Sequence, residues 1–188
     1  MTLEEYGAVF AEALSLTRIA VPEETLLHQV ADEVLEMAAA YQSDGTAFLA
    51  DDPVNALAAF AYGLGWLDAG SRLGLFEPLA AHPPDGVDAA IPDRYGAHLD
   101  EKTHRYRRML RSALLAVRAG PDEASPLSAG AEVFRSAASS RYAEGVELLD
   151  AGDLAGALAR FSYGYAWLDA GVRAGLFRIT GERGLFTV

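Results

Sequence analysis

Cysteine is absent from the 188 residues, which excludes disulfides, thiolate metal sites and cysteine nucleophiles. Lysine is nearly absent: Lys102 stands alone among fifteen basic residues. No apolar run is long enough to span a bilayer, since the stretch from Ala56 to Leu67 ends at Asp68. The first twenty residues carry Glu4, Glu5 and Glu12 and lack the basic start and apolar centre of a signal peptide, so a cytoplasmic, membrane-free protein is expected. There is no Walker loop, no dinucleotide fingerprint and no serine elbow. No catalytic residues, metal ligands or cofactor are expected. What is plentiful is apolar and acidic: 51% of the chain is hydrophobic and its formal charge is −12. A sizeable core can form, and nonspecific binding to nucleic acid or anionic lipid is disfavoured.

The chain contains one unit twice. Tyr41–Phe76 aligns without gaps to Tyr142–Phe177, with eighteen identities over thirty-six positions. The two tryptophans, Trp66 and Trp167, take the same place. Upstream, Tyr6, Phe10, Ala13, Leu14 and Arg18 answer Tyr106, Leu110, Ala113, Leu114 and Arg118, with the offset changed by one. Residues 1–79 form a first unit, 98–188 a second, and the Pro- and Gly-bearing 80–97 a linker.

Each unit reads as three helices, and the fold class is all-α: two up-and-down three-helix bundles packed as a pseudo-dimer. Helices are expected over 3–18, 22–50, 53–74, 99–119, 126–151 and 154–175. Thr2 with Glu5 forms a capping box. Asp52 caps a helix with Pro53 at its first position. The tail from Arg178 to Val188 is expected to be irregular or a short extended piece.

The third helix of each unit is the informative one. Between Pro53 and Phe76 only Asp68 and Arg72 are charged. An apolar arc this wide needs more cover than one three-helix bundle supplies. The two third helices are therefore expected to pack together across a pseudo-twofold axis. Tyr62, Trp66, Asp68, Arg72, Tyr163, Trp167, Asp169 and Arg173 would form that contact or a partner surface, with Asp68 approaching Arg173 and Arg72 approaching Asp169. An alternative is an ion pair four residues apart within each helix. Gly63, Gly70 and Gly74 recur as Gly164, Gly171 and Gly175; helical glycine costs about 1 kcal/mol relative to alanine. Close helix packing is the expected return, the alternative being the floor of a pocket walled by Tyr62 and Trp66. Gly74 and Gly175, each followed by Leu-Phe, also suit glycine C-caps with a hydrophobic contact just beyond.

The pattern F-[AS]-Y-G-x-x-W-L-D-A-G-x-R-x-G-L-F, at Phe60–Phe76 and Phe161–Phe177, resembles the archaeal domain-of-unknown-function family numbered 357. The stretch LDEKTHRYRRMLRSAL from Leu99 resembles that family's first helix; the first unit departs there with TLEEYGAVFAEAL from Thr2. The resemblance implies a three-helix bundle of archaeal origin, and no active site.

Among the histidines, Glu101 and His104 make a single Glu-x-x-His, whereas a di-iron bundle needs that spacing from two helices. The first 97 residues carry three basic and sixteen acidic side chains, −13; the remainder carry twelve and eleven, +1. Lys102, Arg105, Arg107, Arg108, Arg111 and Arg118 concentrate the positive charge. Lys102, Arg105, Arg108 and Arg111 could bind phosphate or RNA, but docking of this helix against the acidic first half is the favoured reading. The leading functional expectation is a non-enzymatic scaffold whose partner is another protein. The alternatives are an RNA- or phosphate-binding module on the basic helix, and a small-molecule or metal-dependent enzyme with a polar cavity near Tyr62, Trp66 and Asp68.

Overall fold

The computed structural model describes residues 1–78, 82 and 91–187. Most of the expected linker, 80–97, and Val188 lie outside the described residues.

The first half comprises α1 (Leu3–Leu16), α2 (Leu26–Phe48) and α3 (Pro53–Arg72), the second α4 (Gly96–Ala116), α5 (Pro126–Asp150) and α6 (Leu154–Arg173). The fold is all-α in two repeated halves. Side chains set most helix starts. Thr2 and Glu5 exchange backbone-to-side-chain bonds at the head of α1, and Asp52 and Asp153 accept from the amides of Asn55 and Gly156. Helix α2 opens at Leu26, four residues later than expected: the Thr25 hydroxyl takes the His28 amide, leaving Pro22 to Thr25 as a turn. Helix α4 opens at Gly96, inside the expected linker.

Two short antiparallel pairings were not read from the sequence. Strand β1 (Arg18–Ile19) pairs with β2 (Phe76–Glu77), and β3 (Val117–Ala119) with β4 (Phe177–Ile179). Each ties the end of a first helix to the segment after the third helix of its own half. The chain reaches these strands through Gly74 and Gly175, at φ of 73° and 75°. In both turns the amide three residues past the helix bonds back to a helical glycine carbonyl, Leu75 to Gly70 and Leu176 to Gly171. That is the Schellman arrangement, which favours glycine at the positive φ. A Cβ on Gly74 or Gly175 would meet nothing within 4 Å. Their assignment to close packing is corrected: backbone conformation is what asks for glycine there.

Packing also corrects the internal alignment. Ala31, Val34, Ala38 and Gly45 are the buried positions of α2, and Ala131, Phe134, Ala138 and Gly145 those of α5, an offset of 100. The third helices are offset by 101: Gly45 meets the Phe60 ring and Gly145 the Phe161 ring. The extra residue lies in the turn before α6, where Gly152 adopts φ 84°. Tyr41 is thus the counterpart of Arg141, not of Tyr142, and Asp44 that of Glu144.

Helices α3 and α6 form the centre of one continuous core. From Pro53 to Ser71 every α3 residue except Asn55 is buried. A Cβ on Gly65 would lie 2.6 Å from the Tyr163 carbonyl oxygen and 2.7 Å from the Ala166 Cβ, so the backbones meet here. Residue 62 meets 169, 65 meets 166 and 68 meets 163; the opposed numbering makes the two helices antiparallel. A Cβ on Gly63 would lie 2.6 Å from the Phe10 ring, and one on Gly70 would run into the Phe76 ring. A Cβ on Gly171 would lie 2.6 Å from the Phe177 ring, and one on Gly164 3.0 Å from the Arg141 Cβ.

Candidate functional site: the cleft between the halves

At the crossing, two buried carboxylates are held by phenols from the opposite half. Tyr163 donates to Asp68 at 2.6 Å, and Tyr62 donates to Asp169 in a short bond. Each carboxylate also takes an amide from the segment following its own third helix. Asp68 accepts from the His82 backbone at 2.6 Å and its ring Nδ1 lies 2.9 Å away; Asp169 accepts from the Thr187 backbone at 3.2 Å. The C-terminal tail is therefore part of the site, with Phe186 buried behind Thr187. Burial raises the Asp169 carboxyl to about 6, against the lowering effect of its Tyr62 and Thr187 hydrogen bonds. Tyr62 and Tyr163 are pushed up, first by burial and then by the facing carboxylate, so both stay protonated donors.

These bonds replace the expected charge pairs. Asp68 does not meet Arg173, nor Arg72 Asp169: Arg173 reaches Glu33 of α2 at 3.0 Å, and Arg72 is exposed beside Gly130 and Val133 of α5. One helical turn beyond the crossing, an arginine lies past the neighbouring third helix and over the second helix of the other half. A phenol satisfies a buried carboxylate without bringing a second charge out of water. Trp66 is fully buried beside Tyr62, and Trp167 packs on Phe134 of its own half at 4.8 Å between ring centres.

Beside the Tyr62–Asp169 bond lies a cleft of about 260 Å³. The first half lines it with Tyr41, Asp44, Phe48, Asn55, Ala59 and Tyr62, the second with Lys102, Tyr106, Met109, Tyr165 and Thr187. The Tyr41 and Tyr62 rings meet edge to face at 4.5 Å. Lys102 is only 7% exposed; its ammonium donates to the Asn55 side-chain carbonyl in a short bond and lies 5.3 Å from the Tyr106 ring centre. Burial lowers the Lys102 pKa, helped by Arg105. Burial raises Tyr41, Tyr106 and Tyr165. The buried Tyr165 hydroxyl has no hydrogen-bond partner among the described residues. The cleft thus offers aromatic rings, phenol hydroxyls, the Asn55 amide, the Lys102 amino group and the exposed Asp44 carboxyl.

The corresponding surface of the second half carries two arginines. Arg141, in the place of Tyr41, lies 5.5 Å over the Tyr163 ring. Arg160, in the place of Ala59, reaches Glu144 at 3.2 Å, and Arg141 reaches it at 2.6 Å. Both guanidinium side chains are largely buried, at 12% and 22% exposure.

The basic helix does not dock as a whole on the acidic half, and that expectation is corrected. Lys102 meets Asn55, and His98 comes within 3.9 Å of Asp52. Arg105, Arg108, Arg111 and Arg118 are exposed, Arg105 beside its own Glu101 at 3.7 Å. Helix α4 gives the second half its apolar face, burying Leu99, Leu110 and Ala113, and that turns its arginines outward. Among the described residues no group of three or more His, Asp or Glu side chains could hold a metal ion, and no helix is long and apolar enough to cross a membrane.

Sequence reasoning missed Tyr41, Tyr106, Tyr165, Asn55, His82 and Thr187 as parts of the site. The readable signal was the contrast of Ala59 with Arg160. Its companion, Tyr41 against Arg141, is visible only in the corrected register.

Neither the curated proteins nor the solved structures contain a match to this chain. The model of one family, described as protein of unknown function (DUF357), matches twice, at residues 5–76 and 105–177. These spans are the two halves from first helix to closing strand. With three helices, a Schellman turn and a returning strand repeated in each, the chain belongs to the DUF357 family as a tandem duplication.

Proposed function

We propose that this protein is a small-molecule binding module, with one binding cleft formed between its duplicated halves. The observation that carries this reading is the difference between the two equivalent surfaces. One carries Arg141 and Arg160 paired with Glu144; the other is a 260 Å³ cleft walled by tyrosines, with a nearly buried lysine in it. Ligand sites are concave, mostly apolar, and carry a few fixed polar groups, and this cleft has that make-up. The apolar stripe that a protein-binding scaffold would offer is spent within the molecule: Tyr62, Trp66, Tyr163 and Trp167 are all buried.

The test uses indole, a neutral aromatic probe, by saturation-transfer NMR and isothermal titration. Indole should bind at one site per chain, and Ala59→Arg, which copies the second half's own side chain, should abolish it. Binding that survives Ala59→Arg, or no binding to the wild type, sinks the cleft reading.

A further inference from the structure

The second half supplies a template for what the cleft takes. There, Arg160 places a guanidinium on Glu144, and Arg141 lays another over the face of Tyr163. In the first half the acid is kept as Asp44 and the ring as Tyr62, while Ala59 leaves out the cation. Resting on the cleft reading above, we propose that the ligand is a small organic cation, a guanidinium, amidine or ammonium compound, bound between the Tyr41–Tyr62 pair and Asp44.

Three further observations agree. Aromatic faces attract cations through the ring quadrupole, and the cleft presents Tyr41, Tyr62, Tyr106 and Tyr165. The same wall already holds one cation, the Lys102 ammonium over the Tyr106 ring with the Asn55 carbonyl beside it. The formal charge of −12 raises the local concentration of cations around the molecule. Lys102 is the competing signal, since an ammonium in a cavity can equally anchor a carboxylate. Its ammonium is engaged by Asn55 and Tyr106, however, while the Asp44 carboxylate is exposed at the cleft wall.

The experiment is a matched series of one shape and three charges: benzamidine, benzamide and benzoate, titrated into the full chain. Benzamidine should bind at least about fivefold more tightly than benzamide, and benzoate most weakly. Asp44→Asn should cut the benzamidine preference by about twofold or more. Lys102→Met, which removes a like charge, should tighten benzamidine. Benzoate as the tightest ligand, with its affinity lost in Lys102→Met, would overturn the proposal in favour of an anion anchored by Lys102. Equal binding of all three would also overturn it while leaving the cleft reading intact, because indole and Ala59→Arg test the cleft independently of charge.

Discussion

Arg141 and Arg160 occupy one face of the molecule in ion pairs with Glu144, whereas Tyr41 and Ala59 line a cleft on the equivalent face. The third helices beneath those faces are nearly the same: both present a Tyr, a Trp and an Asp at the same spacing, and each phenol serves the other half's carboxylate. Duplication has thus kept the residues at the crossing and let the walls diverge. A crossing built by two antiparallel copies constrains both at once, since Tyr62 and Asp169, or Tyr163 and Asp68, cannot change singly without costing the other a buried hydrogen bond. The walls carry no such reciprocity.

The crossing itself is not fully symmetric, and the largest expected effect lies there. Gly65 faces Ala166, so one copy gives up its side chain to make room for the other's methyl. Gly65→Leu should cost about 3 kcal/mol or more, at the upper end of overpacking, because the obstacle is the Tyr163 carbonyl and not a mobile side chain. Gly63→Leu, against the Phe10 ring, should cost about 1–3 kcal/mol. Thermal and urea melts check both. A Gly65→Leu variant as stable as wild type would remove the close crossing from this account.

The next effect separates the two carboxylates. Burial raises the Asp169 carboxyl from 3.8 to about 6 in the folded chain. The folded state therefore holds this proton more tightly than the unfolded state. The stability it contributes is complete below pH 4 and is lost as pH rises through about 6. At 1.36 kcal/mol per unit this amounts to about 2–3 kcal/mol. Asp169→Asn should flatten the fall in stability between pH 4 and 7, measured by urea unfolding; an unchanged slope would show that Asp169 ionises normally.

A smaller difference concerns the phenols. Tyr62→Phe leaves Asp169 with the Thr187 amide, whereas Tyr163→Phe leaves Asp68 with both the amide and ring of His82. Tyr62→Phe should therefore be the more destabilising, by about 1 kcal/mol. Equal melting temperatures for the two variants would mean that the segments after the third helices do not support the carboxylates unequally.

Much of the fold was legible because helical periodicity, caps and an internal repeat all pointed the same way. Asp52 before Pro53 and Thr2 before Glu5 announced helix starts that the structure contains. The breadth of the apolar arc on α3 likewise required a neighbour beyond its own bundle. The cross-half partners were not legible. Charge complementarity suggested arginines for Asp68 and Asp169, but burial depth decides such pairings, and depth is a tertiary property. His82 and Thr187 reach the carboxylates from fourteen and eighteen residues downstream, with no periodic pattern to mark them. The strands β1 to β4 span two or three residues each, too short for alternation to register. The cleft needed the register of α2, which an ungapped alignment had shifted by one.

The smallest expected effect sharpens the contrast between the two carboxylates at the other end of the pH scale. Asp68 is served by a titratable side chain and Asp169, through Thr187, by none. The His82 ring is 23% exposed, and Asp68 beside it is buried. The hydrogen bond to Asp68 raises the His82 pKa above 6.5, outweighing the lowering effect of burial. A raised histidine pKa means that the folded state binds the proton more tightly than the unfolded state. Its contribution is complete below pH 6.5 and is lost as pH rises through the folded value. For a partly exposed pair this is under about 1 kcal/mol. His82→Gln should therefore leave stability below pH 6 reduced by that amount, converge with wild type by pH 8, and leave the Asp169 slope between pH 4 and 6 in place. In the double variant with Asp169→Asn the two effects should add, since the carboxylates are served by different segments and share no partner. A His82→Gln curve parallel to wild type from pH 6 to 8 would show that the ring titrates alike in the folded and unfolded chain. The His82–Asp68 pairing would then add no charge-dependent stability, and the contrast between the two carboxylates would rest on their neutral donors alone.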